Sequence, residues 1–357
     1  MVEFGGWEMP VQYTGIVEEH HAVRRAAGLF DISHMGRLFF SGLDAEPFLS
    51  RLVTCRVDNL IDGQIRYGLV CRDDGGVLDD ILVYKLDPLH FGLVVNASNR
   101  SKIVAWIDQH VGDLNPSDHA LDLEIDDQTT TSAMIAIQGP KALSILSRLT
   151  TSGTDLASMK YYSGCNTEIA GVPAYVSRTG YTGEDGFEIV LTEGEVVSTR
   201  IWETLLETGK GDGLIPCGLG CRDTLRLEAA MPLYGHELIE NVDPLTAGLG
   251  FAVKLDKPDF IGRDALLKIK EVPNRPVRVG LVLASRRIAR EHAEVYVGET
   301  RIGEVTSGTF SPTLEKSIAM AYLDAPHASV GTAVEIDIRG KREAATVAPL
   351  PFYKRTH

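Results

Sequence analysis

The chain has 357 residues, 44% hydrophobic and 24% charged, and its 35 basic and 49 acidic side chains leave a net charge of −14. At about 150 residues per domain there is room for two or three domains with a sizeable core. This excludes a disordered tail, a collagen-like chain or a disulfide mini-domain, and the acidic balance argues against a nucleic-acid partner.

Residues 16–27 read as the first helix, stopped by Gly28. A strand follows over 37–41, then a hairpin, with 67–71 running into Arg72-Asp73-Asp74-Gly75-Gly76 and 77–85 running out. Residues 91–96 form another strand, and Ser98 is placed to cap a helix reaching 109. Gly139-Pro140 puts proline in the first turn of a helix reaching 149. Strands at 172–178 and 186–191 flank the loop Thr179-Gly180-Tyr181-Thr182-Gly183. Helices are expected at 194–208, 221–230 and 263–270. Pro273-Asn274-Arg275-Pro276 reads as a linker. Beyond it come only short strand-like runs, at 277–283, 294–297, 304–307, 318–323, 333–338 and 343–347, the pattern of a small all-β barrel or sandwich. Before residue 270 strands and helices do not alternate regularly, so the fold class is α+β with antiparallel sheet.

No complete G-x-G-x-x-G, P-loop, H-E-x-x-H or G-x-S-x-G is present, so nicotinamide, flavin and hydrolase readings have no support. The longest uncharged stretch, 128–140, has 13 residues, where a bilayer span needs about 20. Residues 1–10 carry Glu3 and Glu8 rather than the apolar core of a secretory leader. No membrane association is expected. Cys55, Cys71, Cys165, Cys217 and Cys221 are few and odd in number. They read as free thiols in a reducing, cytoplasmic setting. Cys217 and Cys221 have no second Cys or His pair at zinc spacing, so no metal is expected.

Four segments are richer in glycine, acid and aromatic residues than a plain scaffold needs. Phe4-Gly5-Gly6-Trp7-Glu8-Met9-Pro10 goes with Gly28-Leu29-Phe30-Asp31-Ile32-Ser33-His34-Met35-Gly36. The second segment is Asp74-Gly75-Gly76-Val77-Leu78-Asp79-Asp80-Ile81-Leu82-Val83-Tyr84. The third is Ser177-Arg178-Thr179-Gly180-Tyr181-Thr182-Gly183-Glu184-Asp185-Gly186-Phe187-Glu188. The fourth is Gly218-Leu219-Gly220-Cys221-Arg222-Asp223-Thr224-Leu225-Arg226-Leu227-Glu228-Ala229, continuing to Tyr234-Gly235-His236-Glu237. In this order, and with Thr306-Ser307-Gly308-Thr309-Phe310-Ser311-Pro312 and Pro351-Phe352-Tyr353 near the end, they resemble the aminomethyltransferase family, the T-protein of the glycine cleavage system.

The resemblance implies two interleaved folate-binding subdomains within 1–270, roughly 1–45 with 133–212 and 46–132 with 213–270, and a C-terminal β-barrel over 276–357. It implies a reaction in which tetrahydrofolate, as co-substrate, takes the aminomethyl carbon from the lipoyl arm of a carrier, the H-protein, releasing ammonia. The chain starts inside the family's first motif, which implies a missing upstream segment. Phe251 stands where the family often has tryptophan, and Cys221 occupies an alanine position. A folate-dependent demethylase and a non-catalytic folate-binding protein of the same fold are the alternatives. The fourth segment lacks the lysine-glycine-cysteine signature of the latter.

Within this frame Glu188 matches the pterin-holding glutamate, and Arg222 an arginine used at the ligand. A carboxylate can accept both adjacent N–H donors of a pterin edge. Arg226, one turn further on, suits a structural ion pair. Asp79 and Asp80 point to opposite faces of a strand, and periodicity does not choose between them. The family motif selects the second, Asp80, as the catalytic acid–base group. Met35, Tyr67, Tyr84, Tyr162 and Tyr181 would wall the pocket, Asn96 would add a polar contact, and Tyr353 would reach in from the last domain.

Overall fold

The computed structural model describes residues 1–114 and 120–356. Two sheets and a barrel account for most of its strands. One sheet runs Gly164–Ile169, Val172–Ser177, Gly186–Leu191, Ala133–Gln138, Ala27–Asp31 and Leu214–Pro216 in spatial order. Only its last pair is parallel. The other sheet runs Ile65–Cys71, Val77–Lys85, His90–Val95, Gly36–Ser41 and Glu124–Asp127, antiparallel throughout. The expected α+β class with antiparallel sheet therefore holds. A short hairpin, Val2–Phe4 with Trp7–Met9, precedes both sheets.

Of the strands without a sequence signal, Gly164–Ile169, Leu214–Pro216 and Glu124–Asp127 lie at sheet edges, while Ala27–Asp31 and Ala133–Gln138 are central. Met134, Ile135, Ala136 and Ile137 are all buried, so both faces of Ala133–Gln138 meet core and no alternation marks it. The first helix is Ile16–Arg25, shorter than expected, because Ala27 pairs with Leu214 in the sheet. Pro140 lies in the turn before Ala142–Leu146 rather than inside that helix. Gly139, at φ +131°, donates its N–H to Asp185 and turns the chain first. Ser98 does not cap its helix. It lies in the single turn Ala97–Asn99, and Asn99 is the residue that precedes Arg100–Val111.

The chain passes from the first sheet to the second at the turn where the Met35 N–H meets the Ile32 carbonyl at 3.0 Å. Sheet membership thus changes before Gly36–Ser41 rather than near residue 45, and Leu214–Pro216 keeps the first sheet past residue 212. Ladder hydrogen bonding, which composition does not reveal, sets both places.

Helix Leu219–Glu228 joins the parts. Cys221 and Leu225 pack with Val23, Phe30 and Ile32, while Leu227 packs with Ile318 and Met320 of the barrel. The barrel is closed by six strands, Val277–Leu283, Lys316–Leu323, Thr300–Ser311, Glu294–Val297, Ala333–Asp337 and Arg342–Ala348. The run expected at 304–307 is the middle of a twelve-residue strand. Among the described residues no helix is long and apolar enough to cross a membrane.

Candidate active site

Asp80 lies on Val77–Lys85, opposite Leu69 of the neighbouring strand. The Tyr67 hydroxyl donates to its Oδ2 at 3.0 Å and the Asn96 amide to its Oδ1 at 2.8 Å. Burial pushes the Asp80 carboxyl above the usual carboxylate range, partly offset by those two hydrogen bonds and by Arg278. The Tyr67 ring lies against Phe251 with centroids 5.9 Å apart. Phe251 is 66% exposed, so an aromatic face stands open beside the acid.

Glu188 occupies the centre of Gly186–Leu191, opposite Ser177 on one side and Ala136 on the other. Its side chain is buried, and its Oε2 accepts the Thr179 hydroxyl at 2.5 Å. Among the described residues no cation pairs with it, and its Oε1 takes no hydrogen bond. Burial raises its proton affinity, opposed by Thr179 and by the charge of Arg222. The buried Tyr84 hydroxyl feels the Glu188 charge and has no well-aligned partner.

Arg222 is half-buried, its guanidinium 4.6 Å from the Tyr181 ring centre. No carboxylate lies within ion-pair distance among the described residues, and burial lowers its proton affinity. Arg226 is the structural arginine. It meets Glu237 and Asp223, each at 2.8 Å, and Ser307 at 2.9 Å.

The tyrosines tie the three charged corners together. Tyr162, at φ +61°, feels both Glu188 and Asp80, and Tyr181 feels Asp80 and Arg222. Tyr181 also holds the carbonyl of Pro232 through its hydroxyl, which fixes the glycine loop. Met35 packs half-buried against the Val23–Phe30–Ile32 cluster. A separate cleft of about 450 Å³ between the two sheets shares only Tyr84 with this set.

Two of the expected residues have protein contacts of their own. The Asn96 amide nitrogen is committed to Asp79 and Asp80, which leaves only its carbonyl for a ligand. Tyr353 stacks on Arg24 at 3.9 Å and lies beside Gly183, and its N–H binds the Glu228 carbonyl. It serves the junction with the barrel, because Arg24 and Glu184 give the ring a charged seat there.

Sequence reading missed Thr179 as the partner of Glu188, Arg278 as the cation facing Asp80, and Asn99 behind Asp79. Thr179 lies inside the third segment and was open to notice. It also missed that Glu19 joins Cys217 and Cys221, all three buried with ligand atoms within 4.8 Å of one another. The Glu19 carboxylate already accepts backbone N–H groups from Tyr13, Thr14, Gly15 and Gly218.

Residues 1–257 match the model of the GCVT N-terminal domain, and residues 277–354 match that of the glycine cleavage T-protein C-terminal barrel domain. The chain belongs to the glycine cleavage T-protein family. An aminomethyltransferase of Bacillus cytotoxicus is 48% identical to this member over 357 residues, which is 99% of this chain and 94% of that one. One from Symbiobacterium thermophilum is 49% identical over 363 aligned positions, with 100% and 94% covered. The crystal structure of glycine cleavage system aminomethyltransferase T from Bartonella henselae superposes with a TM-score of 0.88 at 33% identity, covering 99% of this chain and 94% of that chain. This T-protein family member is an enzyme, an aminomethyltransferase of the glycine cleavage system.

Proposed function

We propose that tetrahydrofolate binds between Glu188, Arg222 and Asp80, and that Asp80 handles the proton traffic of aminomethyl transfer from the lipoyl arm of a carrier, the H-protein. When bound, the folate supplies two nitrogens that each bond the transferred carbon. Their two protons balance those taken up by the leaving amine and the leaving thiolate, so ammonia, a dithiol and methylenetetrahydrofolate result.

The side chains fit that ligand. Among the described residues Glu188 keeps one oxygen unused and has no cation, which suits it to the paired N–H donors of a pterin edge. The Tyr84 hydroxyl beside it is also without a well-aligned partner. Arg222, charged and unpaired, suits an anionic or electron-rich part of the ligand. The observation that carries the catalytic reading is Asp80. It is a half-buried carboxylate, raised in proton affinity and held by a phenol and an amide, so it is placed to accept and return a proton. The mechanism asks no metal of the Cys217–Cys221–Glu19 group. Five unpaired cysteines, four of them buried, suit a reducing cytoplasm.

The test is formation of ammonia and methylenetetrahydrofolate from aminomethylated carrier protein, with dimethylglycine and sulfonium donors alongside. Turnover of the carrier alone supports the proposal. Turnover of either small donor in its place overturns it.

A further inference from the structure

Strand alternation should send Asp79 and Asp80 to opposite faces. Instead a single nitrogen, Asn96 Nδ2, lies 2.8 Å from Asp79 Oδ1 and 2.8 Å from Asp80 Oδ1. The register explains the convergence. Val70 pairs with Asp79 but Cys71 pairs with Val77, so Leu78 is an extra residue in its strand. Such a bulge sharpens the local twist and re-aims the side chains beside it.

Asp79 is fully buried and saturated from the turn after His90–Val95. It accepts the Asn96 backbone N–H at 2.9 Å, the Asn96 amide at 2.8 Å and the Asn99 amide at 2.6 Å. The spacing Asn96-Ala97-Ser98-Asn99 is one short helical turn, which brings both amides to one side. An ionised carboxylate only accepts hydrogen bonds, while an amide can present either its NH₂ or its oxygen. The Asp79 oxygens already accept the Asn96 backbone N–H and the Asn99 amide, so toward them Asn96 presents its NH₂, whose other proton reaches Asp80. Asp79 therefore decides which way Asn96 points, and Asn96 in turn holds Asp80.

We infer that Asp79 and Asn99 are positioning residues for this reaction, acting through Asn96 to fix the carboxylate of Asp80. This rests on the reading of Asp80 as the acid–base group. Asp79 is fully buried. Its contribution is the placement of a neighbour, where an error near 1 Å can cost about 10²-fold in rate.

Asn96→Ala, Asn99→Ala and Asp79→Asn would be assayed for kcat, KM and folate affinity, with Asp80→Asn alone and combined with Asn96→Ala. The expected result for Asn96→Ala is a kcat lowered about ten- to a hundred-fold, with folate Kd within about three-fold of wild type. Asn99→Ala, which never touches Asp80, should lose about three- to ten-fold in kcat. In Asp79→Asn one amide faces three donors, and a loss at least as large as that of Asn96→Ala is expected. Should that variant not fold, the asparagine variants carry the test. Because Asn96 acts through Asp80, the double variant should be within about two-fold of Asp80→Asn alone. Wild-type kcat in Asn96→Ala, or losses that multiply in the double variant, would overturn the inference while leaving Asp80 in its role. Wild-type kcat in Asp80→Asn would overturn the Asp80 reading, and this inference with it.

Discussion

Arg222 and Arg226 sit one turn apart on helix Leu219–Glu228, and their surroundings could hardly differ more. Around Arg226 every charge is matched. Glu237 pairs with it and also accepts the hydroxyls of Thr306 and Ser307 and the N–H of Leu233. One turn back, Arg222 has an aromatic ring and, among the described residues, no carboxylate within ion-pair distance. The same helix thus locks the barrel with one arginine and leaves the other without a carboxylate partner among the described residues. Buried charge that is fully matched builds the scaffold, and charge left unmatched beside aromatic faces is what the proposed site is read from.

The sharpest way to break that comparison is to unmatch Arg226. Glu237→Gln removes the buried counter-ion of Arg226, leaves only the half-exposed Asp223 carboxylate beside the guanidinium, and should cost about 3 kcal/mol of stability, read by denaturant or thermal unfolding. Arg222→Ala should change unfolding by less than about 1 kcal/mol, because no ion pair is lost. Equal losses in the two variants would dissolve the distinction.

The second anchor of the barrel is Glu228, which meets Arg24 at 2.9 Å and Ser311 at 2.5 Å. Burial alone would raise its proton affinity, but His20, Arg24 and Ser311 outweigh it and hold the carboxyl at about 2 against an ordinary 4.5. A carboxyl held low in the folded state stabilises the fold above its unfolded value. That stabilisation disappears as pH falls from about 4.5 to about 2, and it amounts to roughly 3 kcal/mol. Glu228→Gln should show a flatter acid limb in its unfolding profile. An unchanged acid limb would move the effect to other carboxylates.

On the side of the unmatched charges, Asp80→Asn keeps volume and removes the proposed base. A kcat lower by about two orders of magnitude, with little change in folate Kd, is expected from steady-state kinetics and calorimetry. Smaller still in free energy, Glu188→Ala should weaken folate binding by about 1.5–3 kcal/mol through loss of a charge-assisted pair. Unchanged affinity by calorimetry would remove Glu188 from the pocket.

Two bulges show where sequence reading stopped. Alternation separates Asp79 from Asp80, and Thr306 from Ser307. Yet each pair converges on a single partner, because Leu78 and Thr306 are extra residues in their ladders. An inserted residue inside an apolar or Ser/Thr-rich run leaves no compositional mark. The buried centre strand Ala133–Gln138 was silent for a related reason, since a strand covered on both faces has no period to detect.

By itself the sequence determined the antiparallel α+β class, the strand-rich tail that closes as a barrel, and, through four ordered motifs, the family and the residues to watch. These are local properties, carried by neighbours a few positions apart. Only the tertiary structure decided which charges are matched. Glu237 meets Ser307 across 70 positions, and Asn96 meets Asp79 across 17. It also decided that Tyr353 serves the barrel junction and that Glu19 joins the cysteines. The reason is physical. A side chain's partner is chosen by chain crossings and ladder register, and these follow from packing the whole core at once.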